Sequence, residues 1–142
     1  VASCDLAYAT DSSKFATPGV NIGLFCSTPM VALSRVVKNK HAMEMLLTGD
    51  FIDADKAKSI GLINNSFKED ELFNEINLIA NKLAKKSTLT LKIGKKAFYN
   101  QSEMKITDAY KYASEVMIKN MMEKDSEEGI RAFIEKRKPN WN

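Results

Sequence analysis

The sequence predicts an α/β segment over residues 1–66, followed by an all-helical region over residues 67–142. Two observations divide the chain in this way. The first part mixes short apolar stretches with turn signals such as Asp11-Ser12-Ser13-Lys14 and Pro18-Gly19. From Lys68 onward, apolar residues recur at helical spacing in four successive runs. With 142 residues, 44% of them hydrophobic, the chain fits one domain with a sizeable core.

Residues 1–10, VASCDLAYAT, are apolar and β-compatible and read as a strand buried on both faces. A strand normally follows a turn and a chain normally begins with Met, so this opening predicts the C-terminal piece of something longer. The polar turn at residues 11–14 leads into a short strand at Phe15-Ala16. Pro18-Gly19 is a turn dipeptide, since proline fixes φ and glycine accepts a positive one. Pro29 starts a helix with Thr28 as its N-cap, and residues 30–37 continue it to the cluster Lys38-Asn39-Lys40. Residues 41–47 form a second helix, stopped by Thr48-Gly49. Asp53 caps a third over residues 54–60, Gly61 closes it, and Leu62-Ile63 return as an extended segment.

The helical region follows from spacing alone. Leu72, Phe73, Ile76, Ile79, Ala80 and Leu83 mark one amphipathic helix. Leu89, Ile93, Ala97 and Phe98 mark another, weakened by Gly94. Ile106, Ala109, Tyr110, Ala113, Val116, Met117 and Met121 mark a third. Asp125-Ser126-Glu127-Glu128 has capping-box spacing and opens a last helix carrying Ile130, Phe133 and Ile134, which Pro139 ends. Helix stripes must be buried somewhere, so such a tail packs on another layer or another subunit.

Charge and chemistry narrow the function classes. The net charge is +3, and 18 of the 21 basic residues are lysines spread along the chain, unlike the clustered basic face of a nucleic-acid binder. No stretch is long and apolar enough to span a bilayer. One histidine, His41, and no Cys/His cluster leave no metal site. Cys4 and Cys26 form no CxxC and predict a reducing compartment, the cytoplasm or the mitochondrial matrix of a eukaryote. One feature stands out: residues 15–34 carry no charge in a chain that is 27% charged. Its two readings are the apolar wall of a pocket and a turn that serves folding only.

Three blocks in order, SCDLAYATDSSKFATPGVNIGL, AMEMLLTGDFIDADKAKSIGLIN and EGIRAFIEKRKPNW, resemble the crotonase (enoyl-CoA hydratase/isomerase) family over the whole chain. They correspond to roughly the second half of the family's length. The resemblance implies the last turns of a crotonase-like ββα spiral, then a helical trimerisation region, with homotrimers or hexamers as the assembly. It implies acyl-CoA as ligand, no cofactor beyond CoA (which is part of the substrate), a place in fatty acid metabolism, and an enolate oxyanion held by two backbone N–H groups. Both donors would lie upstream of Val1, so the piece alone is expected to be inactive.

Hydratases of the family use two glutamates as acid and base. One follows the proline of an FxxPE pattern, which here reads Phe15-Ala16-Thr17-Pro18-Gly19, so a glycine stands at the carboxylate's position. The other would fall just before Val1. In this the chain resembles the hydratase-like subgroup without the acid/base pair, and it offers no catalytic residue of its own. Ala16, Thr17, Pro18, Gly19, Gly23, Leu24, Phe25 and Cys26 are the expected substrate-binding wall. Phe133 and Lys136 match the tail that holds the CoA nucleotide, an aromatic for the base and a lysine for phosphate. Their bland alternatives are a core stripe with Ile130 and a solvated helix-end charge. Asp5 and Asp11 read as structural, Cys26 as a small hydrophobe, and Thr17 and Ser27 as hydroxyls with no base partner. The functions open at this point are an enoyl-CoA hydratase-like lyase with hydration disfavoured by Gly19, a thioesterase or decarboxylase of the family, and a non-catalytic acyl-CoA-binding or regulatory protein.

Overall fold

The computed structural model, which describes residues 1–141, opens with turns rather than a strand. The Cys4 N–H bonds back to the Val1 carbonyl at 3.2 Å, and strand β1 is confined to Tyr8–Thr10. This corrects the strand expected over residues 1–10. An apolar stretch without alternation fits several backbones, and only its last residues find a partner. That partner is β4, Asn65–Phe67, paired in parallel with Tyr8 opposite Asn65 and Thr10 opposite Phe67. Asn64 extends the pairing: its N–H donates to the Ala7 carbonyl at 2.7 Å, and its Oδ1 accepts the Ala7 N–H at 2.7 Å. The extended return therefore falls at Asn65–Phe67 and not at Leu62-Ile63, which are buried beyond a turn.

Between these strands lie β2, Lys14–Phe15, and β3, Ile52–Asp53, paired antiparallel with Phe15 opposite Ile52. A 3₁₀ turn, Pro18–Ile22, follows β2, and then helices α1, Pro29–Val36, α2, Asn39–Thr48, and α3, Ala54–Ser59. Pro29 occupies the first turn of α1 as expected, but the Thr28 hydroxyl makes no cap bond. The Cys26 carbonyl takes the Met30 N–H instead, at 3.0 Å. At α3 the sequence signal holds in detail. Asp53 Oδ1 accepts the Lys56 N–H at 2.8 Å, and Leu62 N–H reaches back to the Ala57 carbonyl at 2.9 Å across Gly61, whose φ is 84°. Ala54 and Ala57 are fully covered, because side chains this small let α3 lie close against its neighbours. With Leu33, Val37, Ala42, Met45, Leu46, Leu62 and Ile63 they form the core of the first compact unit, Val1–Ile79.

The second unit begins at Ala80, within α4, Glu69–Ala84, and contains α5, Thr88–Ser102, α6, Ile106–Met121, and α7, Lys124–Ile134. All four expected helices are present, and α5 runs straight through Gly94. Among its described residues, the buried hydrophobic side chains are only Ala109 and Ala132. Ile93, Ala97, Tyr112 and Val116 are half-buried, and two buried polar groups add contacts between the helices. The Ser87 hydroxyl accepts the Thr90 N–H at 3.0 Å, capping α5, and donates to Asp125 Oδ2 at 2.5 Å. Asp125 is thus a buried acceptor within α7 and not the N-cap its spacing suggested. The cap position belongs to Glu123, whose side chain makes no cap bond.

Asp53→Ala is expected to cost the full-length protein about 1 kcal/mol, the usual worth of an N-cap, measured as a lowered midpoint in urea at unchanged m-value.

Candidate functional site

The uncharged segment is held in place by two glycines. Gly49 ends α2 with φ 68°, and a Cβ there would lie 2.9 Å from Val20 Cγ2 and 3.1 Å from the Asn21 side chain. The end of α2 therefore lies close against the side chains of the 3₁₀ turn, and its positive φ also favours glycine. Within that turn, the Gly19 carbonyl accepts the Leu24 N–H at 2.9 Å, and the Gly19 N–H donates to Cys26 Sγ at 3.3 Å. Gly23, at φ 77°, reverses the chain between them. A Cβ on Gly19 would sit 2.8 Å from Cys26 Sγ and 2.8 Å from the Leu24 carbonyl oxygen. No side chain fits at position 19 unless residues 24–26 move.

Cys26 has three partners: its thiol covers Gly19, its carbonyl starts α1, and its side chain packs on the core. Thr17 sits at the N-cap position of the 3₁₀ turn, where a hydroxyl ordinarily accepts the N–H of the second or third residue. The thiol takes the N–H of the second residue, Gly19, the Thr17 hydroxyl makes no cap bond, and Thr17 Oγ1 is buried without a hydrogen-bond partner.

A cavity of about 420 Å³ opens beside this loop, lined by Phe15, Ala16, Thr17, Pro29, Leu33 and Met45 among others. Of the expected wall, Ala16 and Thr17 reach it. Pro18 and Gly19 lie in the 3₁₀ turn, Gly23 ends it, Cys26 faces the core, and Leu24 and Phe25 are exposed. Pro29, Leu33 and Met45 escaped the sequence reading because apolar residues on a helix face look the same whether they line a cavity or fill a core.

At the other end of the chain, Phe133 is 84% exposed among the described residues. Lys136 lies one turn beyond it, its N–H bonded to the Phe133 carbonyl at 3.2 Å and its φ at 54°. A lysine in left-handed backbone is strained by roughly 1–2 kcal/mol. Glu128 supplies the counterweight. Its buried carboxylate accepts Arg137 Nη1 at 2.6 Å and Nη2 at 2.9 Å, Arg131 Nη2 at 2.8 Å and the Asn140 N–H at 2.8 Å. Trp141 Nε1 donates to the Lys85 carbonyl at 2.8 Å, with its ring against Gly129. The Arg137 guanidinium first, then Arg131 and the Asn140 N–H, hold the Glu128 carboxyl far below the usual carboxylate range. The same pairing raises both arginines.

A sequence model of the enoyl-CoA hydratase/isomerase family matches residues 1–142. The chain belongs to this family. Among solved structures, an enoyl-CoA hydratase of Mycobacterium smegmatis superposes with TM-score 0.96 at 48% identity, over 99% of this chain and 55% of that one. The human enoyl-CoA hydratase domain-containing protein 3 superposes with TM-score 0.95 at 49% identity, over 99% of this chain and 55% of that one. Among curated sequences, the mitochondrial enoyl-CoA hydratase domain-containing protein 3 of Xenopus laevis is 52% identical over 141 residues, which is 99% of this chain and 48% of that protein. The chain spans about half the length of the curated relatives it matches. The α/β segment followed by helices is thus the crotonase fold that the sequence predicted. Among its described residues, no helix of this family member is long and apolar enough to cross a membrane.

The tail of this family member carries a pH signature. A carboxyl held below its ordinary value, near 4.5, stabilises the fold fully above that value and loses the contribution as pH falls toward its folded value. Glu128→Gln is therefore expected to lower Tm of the full-length protein at pH 7, with the gap constant through neutral pH and narrowing below about pH 4. A gap that grows on acidification would contradict the lock.

Proposed function

We propose that the full-length protein binds acyl-CoA thioesters, with the acyl group against Ala16 and Thr17, and stabilises an enolate oxyanion without adding water to the double bond. Family resemblance supplies the ligand and the oxyanion donors, which would precede Val1. The observation that carries the rest is the closed space over Gly19. Hydration needs a base for water and an acid for the α-carbon. The family's carboxylate position is Gly19, and there even a Cβ would collide with Cys26 Sγ and the Leu24 carbonyl. The loop is packed for the absence of a side chain, so the acid/base function cannot be regained by one substitution.

The same closure favours, as a second reading, a protein that holds acyl-CoA without turnover. Thioester hydrolysis and decarboxylation also need an oxyanion hole and not this carboxylate. In the same proposal, exposed Phe133 and Lys136 take the CoA nucleotide. Ile106, Tyr110, Met121, Ile130 and Ile134, which also stand exposed, are covered by neighbouring subunits of a homotrimer or hexamer. The names of the relatives point to the mitochondrial option for its compartment.

Purified full-length protein is expected to bind butyryl-CoA by calorimetry and to hydrate crotonyl-CoA at least about 100-fold more slowly than a two-glutamate hydratase, the low end of what acid/base catalysis contributes. Gly19→Glu is expected to lower Tm and restore nothing. Hydration at a hydratase's rate, rescue by Gly19→Glu, or no acyl-CoA binding would each overturn the reading.

A further inference from the structure

Lysines are spread along the chain, but between Glu75 and Glu103 no acid accompanies them. Lys82, Lys85, Lys86, Lys92, Lys95 and Lys96 fall there without an aspartate, a glutamate or an arginine. All six are exposed. Lys82 lies near the end of α4, Lys85 and Lys86 in the joint after it, and the others on α5. The joint is pinned: the Lys86 N–H donates to the Leu83 carbonyl at 2.9 Å, and Trp141 Nε1 donates to the Lys85 carbonyl at 2.8 Å. Its lysine side chains therefore project from a fixed backbone. On α5, half-buried Ile93, Ala97 and Gln101 mark the inner face. Lys92 and Lys96, one turn apart, share the outer side with exposed Leu89, Leu91 and Phe98. Lys82, Lys85, Lys86, Lys92 and Lys96 join no ion pair among the described residues. The exposed residues assigned above to subunit contacts lie on α6 and α7 and not here.

We propose that this face docks the protein on the surface of a bilayer containing anionic phospholipids. The uncompensated charge supplies the attraction, roughly a fivefold gain in binding for each lysine held near such a surface. Lysine is a point charge on a flexible stem, which suits a fluid array of headgroup phosphates, whereas the fixed phosphates of a nucleic acid favour arginine forks. Leu89, Leu91 and Phe98, set among the lysines, fit the boundary between headgroups and acyl chains. There the apolar side chains enter while lysine stems reach back to phosphate. An acidic protein or a nucleic acid would satisfy the charges and leave those side chains without a matching surface. The proposal is independent of the acyl-CoA reading, since none of these residues lines the acyl wall.

The test is cosedimentation of the full-length protein with vesicles of phosphatidylcholine alone and of phosphatidylcholine with phosphatidylglycerol, read as a partition constant. Binding is expected to the mixed vesicles only, and to fall as added salt screens the charges. The double variant Lys92→Gln, Lys96→Gln should weaken it by about 25-fold. Phe98→Ser should weaken it several-fold by removing apolar area from the contact. The double variant Lys111→Gln, Lys119→Gln, whose lysines stand one turn either side of Glu115 on α6, should change it little. Absence of binding, or equal binding to both kinds of vesicle, overturns the proposal whether or not any variant folds. So does wild-type partition in the α5 double variant, or an equal loss in the α6 pair, which would show net charge alone at work. Wild-type partition in Phe98→Ser, with polyglutamate displacing the protein from the vesicles, would point to an acidic protein partner and overturn it as well.

Discussion

The loop that gives this chain its chemical character depends on the placing of Cys26. Its thiol takes the Gly19 N–H, its carbonyl takes the Met30 N–H, and its side chain is packed on the core of the first unit. A thiol is a weak acceptor, so the closure is held by packing more than by the bond itself. Gly49 supplies the opposing surface, since its missing Cβ lets α2 end against Val20 and Asn21. With the loop fixed from both sides, the space over Gly19 is filled and Thr17 loses its capping role.

The two units are stabilised by different means. The first has an aliphatic core in which small residues on α3 permit close helix packing. Among its described residues the second buries two alanines, half-buries Ile93, Ala97, Tyr112 and Val116, and adds the contacts of Ser87 with Asp125 and of Glu128 with its arginines. Helices whose apolar stripes stand open need a cover, and that need links the exposed residues of α6 and α7 to the proposed assembly. The Glu128 lock does a second job, fixing a left-handed Lys136 one turn beyond an exposed Phe133.

Local signals in the sequence proved faithful where the structure resolves them locally. Asp53 caps, Gly49 and Gly61 close, and the four late helices follow their apolar spacing. What was not legible depends on partners distant in sequence. Residues 1–7 look like a strand until β4 is seen to pair only with Tyr8–Thr10, and Asp125 looks like a cap until Ser87 claims it. At the site, the motif revealed that position 19 is glycine, whereas only the fold shows that Leu24 and Cys26 fill the space beyond it. Leu33 and Met45 were invisible as cavity residues for the same reason, since a helix face does not say what it faces.

The proposed acyl site is a wall at Ala16 and Thr17 with no acid or base at position 19. A crystal structure of the full-length protein with bound acyl-CoA tests it most directly. The acyl chain is expected against Ala16 and Thr17, with Gly19 still closed by Cys26 and no carboxylate from this wall near the second and third acyl carbons. A carboxylate from this wall within about 3 Å of those carbons or of a water between them, or an acyl chain bound away from the wall, would contradict it.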